Sequence, residues 1–127
     1  GISNTNLNFS KLNEDSKKIN QTSIIFHDIK DFNGDLKQIG DSFRQNSISN
    51  SIFILSSYVK DKINVMCALS DDLVSSYNAG DIAKAIGKLI DGGGGGKKHI
   101  ATAGGKNIIK SDELFKKIFD HLKKELR

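Results

Sequence analysis

Apolar residues concentrate in three short segments of the chain, and each segment predicts a strand. Ser23–Ile29 carries β-branched and aromatic side chains of the kind enriched in strands. Ser51–Val59 is apolar on both faces at its centre, which is typical of a strand in the middle of a sheet. Ile63–Leu69 follows a period of two after a short polar connection, so it is expected to form an antiparallel hairpin with Ser51–Val59.

Apolar residues spaced by three and four positions predict three helices. The first runs from Asp35 to Asn46, the second begins at Asp81, and the third is expected to be capped by Ser111. The second helix stops at the five glycines 92–96, and Lys97–Ala103 then predicts a short strand or extended segment.

The order of these elements predicts an α/β (α+β) fold in a single domain. We expect a mixed sheet of about four strands with about three packed helices, because one strand pair is a hairpin and the first helix can form a crossover. Residues 1–22 are polar with scattered apolar positions, so we expect a linker or the remnant of an upstream helix outside the core. Residues 23–127 form the predicted globular domain.

Composition narrows the class of protein. The 127 residues are 37% hydrophobic and 27% charged, which argues against a disordered chain, and no apolar run is long enough to cross a membrane. The net charge of +4 is uneven: residues 1–83 carry 8 basic and 10 acidic side chains, whereas residues 84–127 carry 11 and 5. A cationic half suggests a polyanionic partner, and a solvated lysine-rich surface is the alternative.

Chemically reactive residues are sparse. Cys67 lies in an apolar segment and reads as a small buried hydrophobe, which fits a cytoplasmic, reducing location. His27 and His121 are expected to be structural, whereas His99 either contacts a ligand or has a surface or structural role. No paired carboxylates, Ser-His-Asp set or metal-ligand cluster stands out, so we expect no catalytic residue and no metal site.

The five consecutive glycines leave three interpretations open. Their backbone could approach a ligand such as a phosphate, pack closely against another element, or form a flexible linker. The neighbouring Lys97, Lys98 and second glycine pair favour ligand contact. The sequence matches neither the P-loop nor the dinucleotide-binding fingerprint.

Residues 94–105, Gly-Gly-Gly-Lys-Lys-His-Ile-Ala-Thr-Ala-Gly-Gly, resemble the GGKGGGRPDMAQAGG signature of the DHH-associated domain near the C-terminus of alanyl-tRNA synthetases. Asn78–Ile90 is similar to that family's K-A-G-x-L-V-K-x-L-A helix, and Asp35–Arg44 resembles its L-R-x-L-x-D-x-L-R helix. The resemblance extends from about Lys17 to the C-terminus.

The resemblance implies a non-catalytic domain that binds the elbow of tRNA(Ala) and supports aminoacylation and editing in the full-length enzyme. It implies no cofactor in this domain, whereas the parent enzyme would use ATP, Mg and Zn. The resemblance also implies self-association through the upstream helical segment. It implies no membrane partner. Recognition of folded RNA would rest on shape and phosphate contact.

The charge pattern and the resemblance together define a set of predicted RNA-contacting residues. This set contains Lys84, Lys88, Gly94, Gly95, Gly96, Lys97, Lys98, His99, Gly104, Gly105 and Lys106. Two alternatives stay open. One is the substrate-binding domain of a DHH-type phosphoesterase or exonuclease, in which Lys97 would stand at the place of a loop histidine. The other is a dimerisation module.

Overall fold

A mixed six-stranded sheet with four helices makes up the part of the chain that the computed structural model describes, residues 7–46 and 48–126. The expected α+β class and single domain are confirmed, although the strand and helix counts exceed the predicted four and three. The strands are β1 (Lys17–Ile19), β2 (Thr22–Asp31), β3 (Ser51–Val59), β4 (Lys62–Leu69), β5 (Gly92–Gly96) and β6 (Ile100–Gly105). The helices are α1 (Phe9–Glu14), α2 (Leu36–Gln45), α3 (Ala79–Leu89) and α4 (Ser111–Glu125).

The strand order across the sheet is β1-β2-β3-β4-β6-β5. β2 and β3 are parallel because α2 provides the crossover between them, and every other neighbouring pair is antiparallel. β3 is central and buried on both faces, as its continuous apolar sequence predicts. Ile52 and Ile54 join one core cluster and Phe53 and Leu55 join the other.

Each face of the sheet is covered by a different pair of helices. α3 and α4 pack on the face of Ile52, where Ile86 and Ile118 are buried. α1 and α2 pack on the opposite face, where Phe9, Ile39 and Phe43 are buried. Burial of these apolar stripes, at roughly 25 cal/mol per Å² of apolar surface, is the main source of stability.

The first described residues belong to the core, which corrects the expectation for residues 1–22. Residues 1–6 lie outside the described part of the chain. Phe9 in α1 packs edge-on against two rings: its centroid lies 5.9 Å from that of Phe43 and 5.7 Å from that of Phe53. Ile19 in β1 is also buried. The polar surroundings of these two apolar residues hid them from sequence reasoning, because a six-residue helix and a three-residue strand are too short to show a period.

Two helices begin differently from their predicted starts. The Asn78 side chain caps α3 by accepting from the backbone N–H of Gly80 at 2.8 Å, so the helix starts before Asp81. α4 has Ser111 as its first helical residue, and the preceding Lys110 makes no side-chain capping bond.

Candidate nucleic-acid interface

The five glycines form a strand, β5, at one edge of the sheet. They pair antiparallel with β6, from Gly92 opposite Gly105 to Gly96 opposite Ala101. The sequence predicted a break after the second helix at this block, and the structure instead shows a paired strand. Glycine accepts extended backbone as readily as a turn, and pairing with β6 decides between them.

Alternate glycines of β5 are required by packing. A Cβ on Gly94 would collide with the carbonyl oxygen of Ala83 in α3. A Cβ on Gly96, whose φ is +150°, would lie 2.7 Å from the Cα of Ala101. Close backbone packing, one of the three interpretations, therefore explains these positions.

Gly93 and Gly95 point to the other face of the sheet and have no such constraint. A Cβ on Gly93 would meet no atom within 4 Å, and one on Gly95 would meet only the Cε of Lys84, at 3.9 Å. Packing does not explain why these two residues lack side chains. The glycine strand therefore presents a bare face that is available to an incoming molecule.

The register of the β5–β6 ladder directs three backbone N–H groups of β5 toward the outer edge of the sheet. The N–H of Lys97 donates to the carbonyl of Ile100 at 3.0 Å at the tip of the β5–β6 hairpin. Because hydrogen-bonded pairs alternate in an antiparallel ladder, the N–H groups of Gly92, Gly94 and Gly96 point away from β6, toward the edge. Such unpaired donors suit an anionic oxygen.

Two lysines of α3 border the glycine strand. Lys84 and Lys88 are both exposed and one helical turn apart, so they share a helix face. The approach of the Lys84 side chain to Gly95 places its aliphatic part along β5. The structure thus brings Lys84 together with the predicted glycines.

The turn between β5 and β6 presents Lys97 and Lys98 to solvent. The carbonyl of Lys98 accepts from the N–H of Ala79 at 2.8 Å, and the carbonyl of His99 accepts from the N–H of Leu69 at 2.9 Å. These backbone bonds fix the turn against α3 and β4. The two lysine side chains remain exposed while His99 is half-buried.

The last three residues of the predicted RNA-contacting set, Gly104, Gly105 and Lys106, lie at the end of the β5–β6 hairpin away from its turn. Gly105 is buried, and a Cβ there would collide with the carbonyl oxygen of Ile90. Lys106 is exposed just beyond β6. At roughly 3.3 Å per strand residue, the six positions along the hairpin separate it from Lys97 by about 20 Å. Lys106 and Lys97 therefore cannot contact the same phosphate.

The one cysteine among the described residues is buried. Burial raises the pKa of the Cys67 thiol to about 12, so the thiol stays protonated. No group of three or more His, Cys, Asp or Glu side chains that could hold a metal ion occurs within residues 7–46 and 48–126. Within the same residues, no helix has the length and apolarity to cross a bilayer.

Sequence reasoning missed two structural features next to this surface. Asn64 lies beside Gly104, where its Oδ1 is 3.2 Å from the position of a Gly104 Cβ. Arg44 donates from Nε to the carbonyl of Leu69 at 2.9 Å, which ties α2 to the end of β4. Asn64 could have been identified as a polar residue within the alternating pattern of β4. No sequence pattern indicated the contact of Arg44.

The fold and this surface define an α+β domain with a lysine-bordered glycine strand at its sheet edge. The chain belongs to the DHHA1 domain family, whose pattern matches residues 15–125. The resemblance noted from the sequence is thereby confirmed.

Curated relatives are alanine–tRNA ligases. The chain is 33% identical to the Ligilactobacillus salivarius ligase over 126 positions, which cover 87% of this chain and 14% of the relative. It is 32% identical to the Campylobacter jejuni subsp. doylei ligase over 119 positions, which cover 94% and 13%. The chain thus spans about an eighth of the length of these relatives.

A solved structure has the same fold. The C-Ala domain from Aquifex aeolicus alanyl-tRNA synthetase superposes with a TM-score of 0.73 at 24% identity, covering 87% of this chain and 96% of that one. The chain is therefore homologous to a segment of alanine–tRNA ligases and folds as a C-Ala domain does.

Proposed function

We propose that this chain is the tRNA-binding C-terminal domain of an alanine–tRNA ligase and that its glycine strand contacts the folded tRNA at the elbow. In the full-length enzyme it would hold one tRNA(Ala) for both aminoacylation and editing in the cytoplasm. The family and the ligase relatives support the parent enzyme. The RNA-binding role is supported by the surface described above.

One observation carries the proposal: Gly93 and Gly95 lack side chains although the structure has room for them. A glycine inside a strand costs roughly 0.5–1 kcal/mol relative to alanine. Close approach of an RNA backbone would explain why these two positions are glycine, which packing within the protein does not explain.

The surrounding charges fit this partner. Lys84 and Lys97 flank the bare strand as exposed point charges, which suit phosphate contacts that do not read base sequence. The described ion pairs are Lys11–Asp15, Arg44–Asp71 and Lys116–Asp120, so none of them engages these two lysines. Binding through such charges should weaken steeply with salt.

The test is a salt titration of binding between the purified chain and intact folded tRNA, with a matched single-stranded RNA for comparison. The variant is Lys97→Glu/Lys98→Glu. The control is Lys116→Glu/Lys117→Glu, which makes the same charge change at two adjacent exposed lysines of α4. We expect the first variant to bind tRNA at least tenfold more weakly and to reduce the salt slope by about two.

The control variant should retain most of the wild-type affinity. Equal weakening by both variants would mean that only net charge matters, and equal affinity for folded and single-stranded RNA would overturn recognition of the elbow. Thermal unfolding of each variant establishes that the loss is not due to misfolding.

A further inference from the structure

A cleft of about 850 Å³ opens on the face of the sheet that α2 covers. Its volume falls within the roughly 300–1,000 Å³ of small-molecule sites. α2 covers only part of this face, where Gly40 lies close to Met66 and Ile100. The cleft opens on the N-terminal side of this helix, where Leu36 and Lys37 of its first turn belong to the lining. We call this space the α2 cleft; its lining includes Phe32, Lys37, Lys62, Asn64, Gly93 and Gly104.

One cross-strand row forms the floor of the α2 cleft. Ser57 in β3 pairs with Asn64 in β4, Asn64 pairs with Gly104 in β6, and Gly104 pairs with Gly93 in β5. Along this row, Ser57 carries a hydroxyl and Asn64 an amide, whereas the two glycines carry no side chain. The cleft is therefore polar at its centre and open toward the edge formed by the glycine strand.

Gly93 keeps the cleft open. Its missing side chain would point into the cleft and would meet no protein atom within 4 Å. Gly104 has a different neighbour, because a Cβ there would press on Oδ1 of Asn64 at 3.2 Å. Both glycines thus preserve space around the Asn64 amide, which can donate and accept hydrogen bonds.

The mouth of the cleft is cationic. Lys37, Lys60 and Lys62 are exposed there. The lining also contains two carboxylates, and one of them, Asp35, already accepts from the N–H of Lys37 at 3.0 Å as the cap of α2. The lysines leave a net attraction for a phosphate.

An aromatic side chain forms one wall. Phe32 is half-buried in the loop before α2. Its ring lies over Gly34, where a Cβ would be 2.8 Å from the ring atom Cε2. Aromatic faces stack on unpaired bases, and amides read base edges.

We propose that the α2 cleft binds one unpaired nucleotide, with its base between Phe32 and the glycine floor and its phosphate near the lysines. Asn64 would hydrogen-bond to the base edge. This inference rests on the proposed RNA-binding function for its choice of occupant, and it adds a second contact on the α2 side of the glycine strand.

The test uses the isotopically labelled 127-residue chain and the four 5′-mononucleotides as probes, followed by NMR. We expect at least one mononucleotide to shift the amide signals of Gly93 and Gly104 and the side-chain amide of Asn64 in a saturable manner. Gly93→Val should weaken this binding at least tenfold, because the new side chain fills the cleft. Lys117→Val is the control: it introduces the same side chain at an exposed position of α4, on the opposite face of the sheet, and it should keep the binding.

Each outcome decides the proposal. No saturable shift with any mononucleotide, or an unchanged response in Gly93→Val, would overturn it. The same shifts with inorganic phosphate alone would reduce the cleft to an anion site and overturn base binding. Tight tRNA binding without mononucleotide binding would reject the cleft alone, whereas the reverse would reject the proposed function and leave the cleft standing.

Discussion

Gly87 of α3 and Gly93 of β5 lie in direct backbone contact: a Cβ on Gly87 would be 2.5 Å from the carbonyl carbon of Gly93. The helix can approach the edge strand this closely because Gly87 has no side chain to meet the Gly93 backbone. The pair therefore sets the position of α3 over the glycine strand, and with it the position of Lys84.

Replacing Gly87 by alanine should destabilise the fold. Alanine favours a helix by about 1 kcal/mol over glycine, but the clash with Gly93 forces α3 outward, and overpacking of this kind costs about 1–3 kcal/mol. We expect a net loss of stability in chemical denaturation. Lys88→Ala, at the exposed neighbouring position, is the control and should change little. A more stable Gly87→Ala variant would contradict the contact.

Gly94 and Gly95 should respond in opposite directions to alanine. Gly94→Ala meets the Ala83 carbonyl and should lose about 1–3 kcal/mol of unfolding free energy. Gly95→Ala enters open space and should gain about 0.4–1 kcal/mol, because alanine restricts the unfolded chain. Urea denaturation of the two variants checks the alternation, and equal effects would refute the register.

Arg44 should matter more for stability than the carboxylate it pairs with. Arg44→Ala leaves the Leu69 carbonyl without its 2.9 Å donor and should cost about 1.5–3 kcal/mol. Asp71 accepts from Arg44 at 3.1 Å, but its side chain is 99% exposed, so Asp71→Ala should cost only about 0.2–1 kcal/mol. Equal losses in thermal denaturation would show that the ion pair, not the carbonyl bond, is the important contact.

His27 should make the fold less stable in mild acid. Burial lowers the pKa of His27 below its ordinary value, and the neighbouring Asp28 opposes this shift more weakly. The unfolded chain therefore takes up the proton first, so stability is fully present above about pH 6.5 and falls as the pH drops toward the folded-state pKa. Wild type should lose more thermal stability between pH 7.5 and 5.5 than His27→Gln. Parallel losses would argue against the shift.

Sequence patterns predicted the elements that carry strong apolar periodicity. Ser51–Val59 is a strand over the predicted range, and the helix after Asp35 is capped by that residue, which accepts from the N–H of Lys37. The predicted site residues were only partly brought together: Lys84 lies at the glycine strand, while Lys106 lies at the far end of the hairpin. Spacing along the chain could not reveal this, because a hairpin separates residues that are close in sequence.

The sequence by itself determined the α+β class, the central strand, the main helices and, through the motif around Gly94–Gly105, the family. These follow from local periodicity and from residue types that are legible without a fold. Only the tertiary structure decided that Gly92–Gly96 is an edge strand, that Phe9 belongs to the core, and that Gly93 opens onto a cleft. Glycine has no side chain to show a period, so pairing with β6 and the approach of α3 fix its conformation.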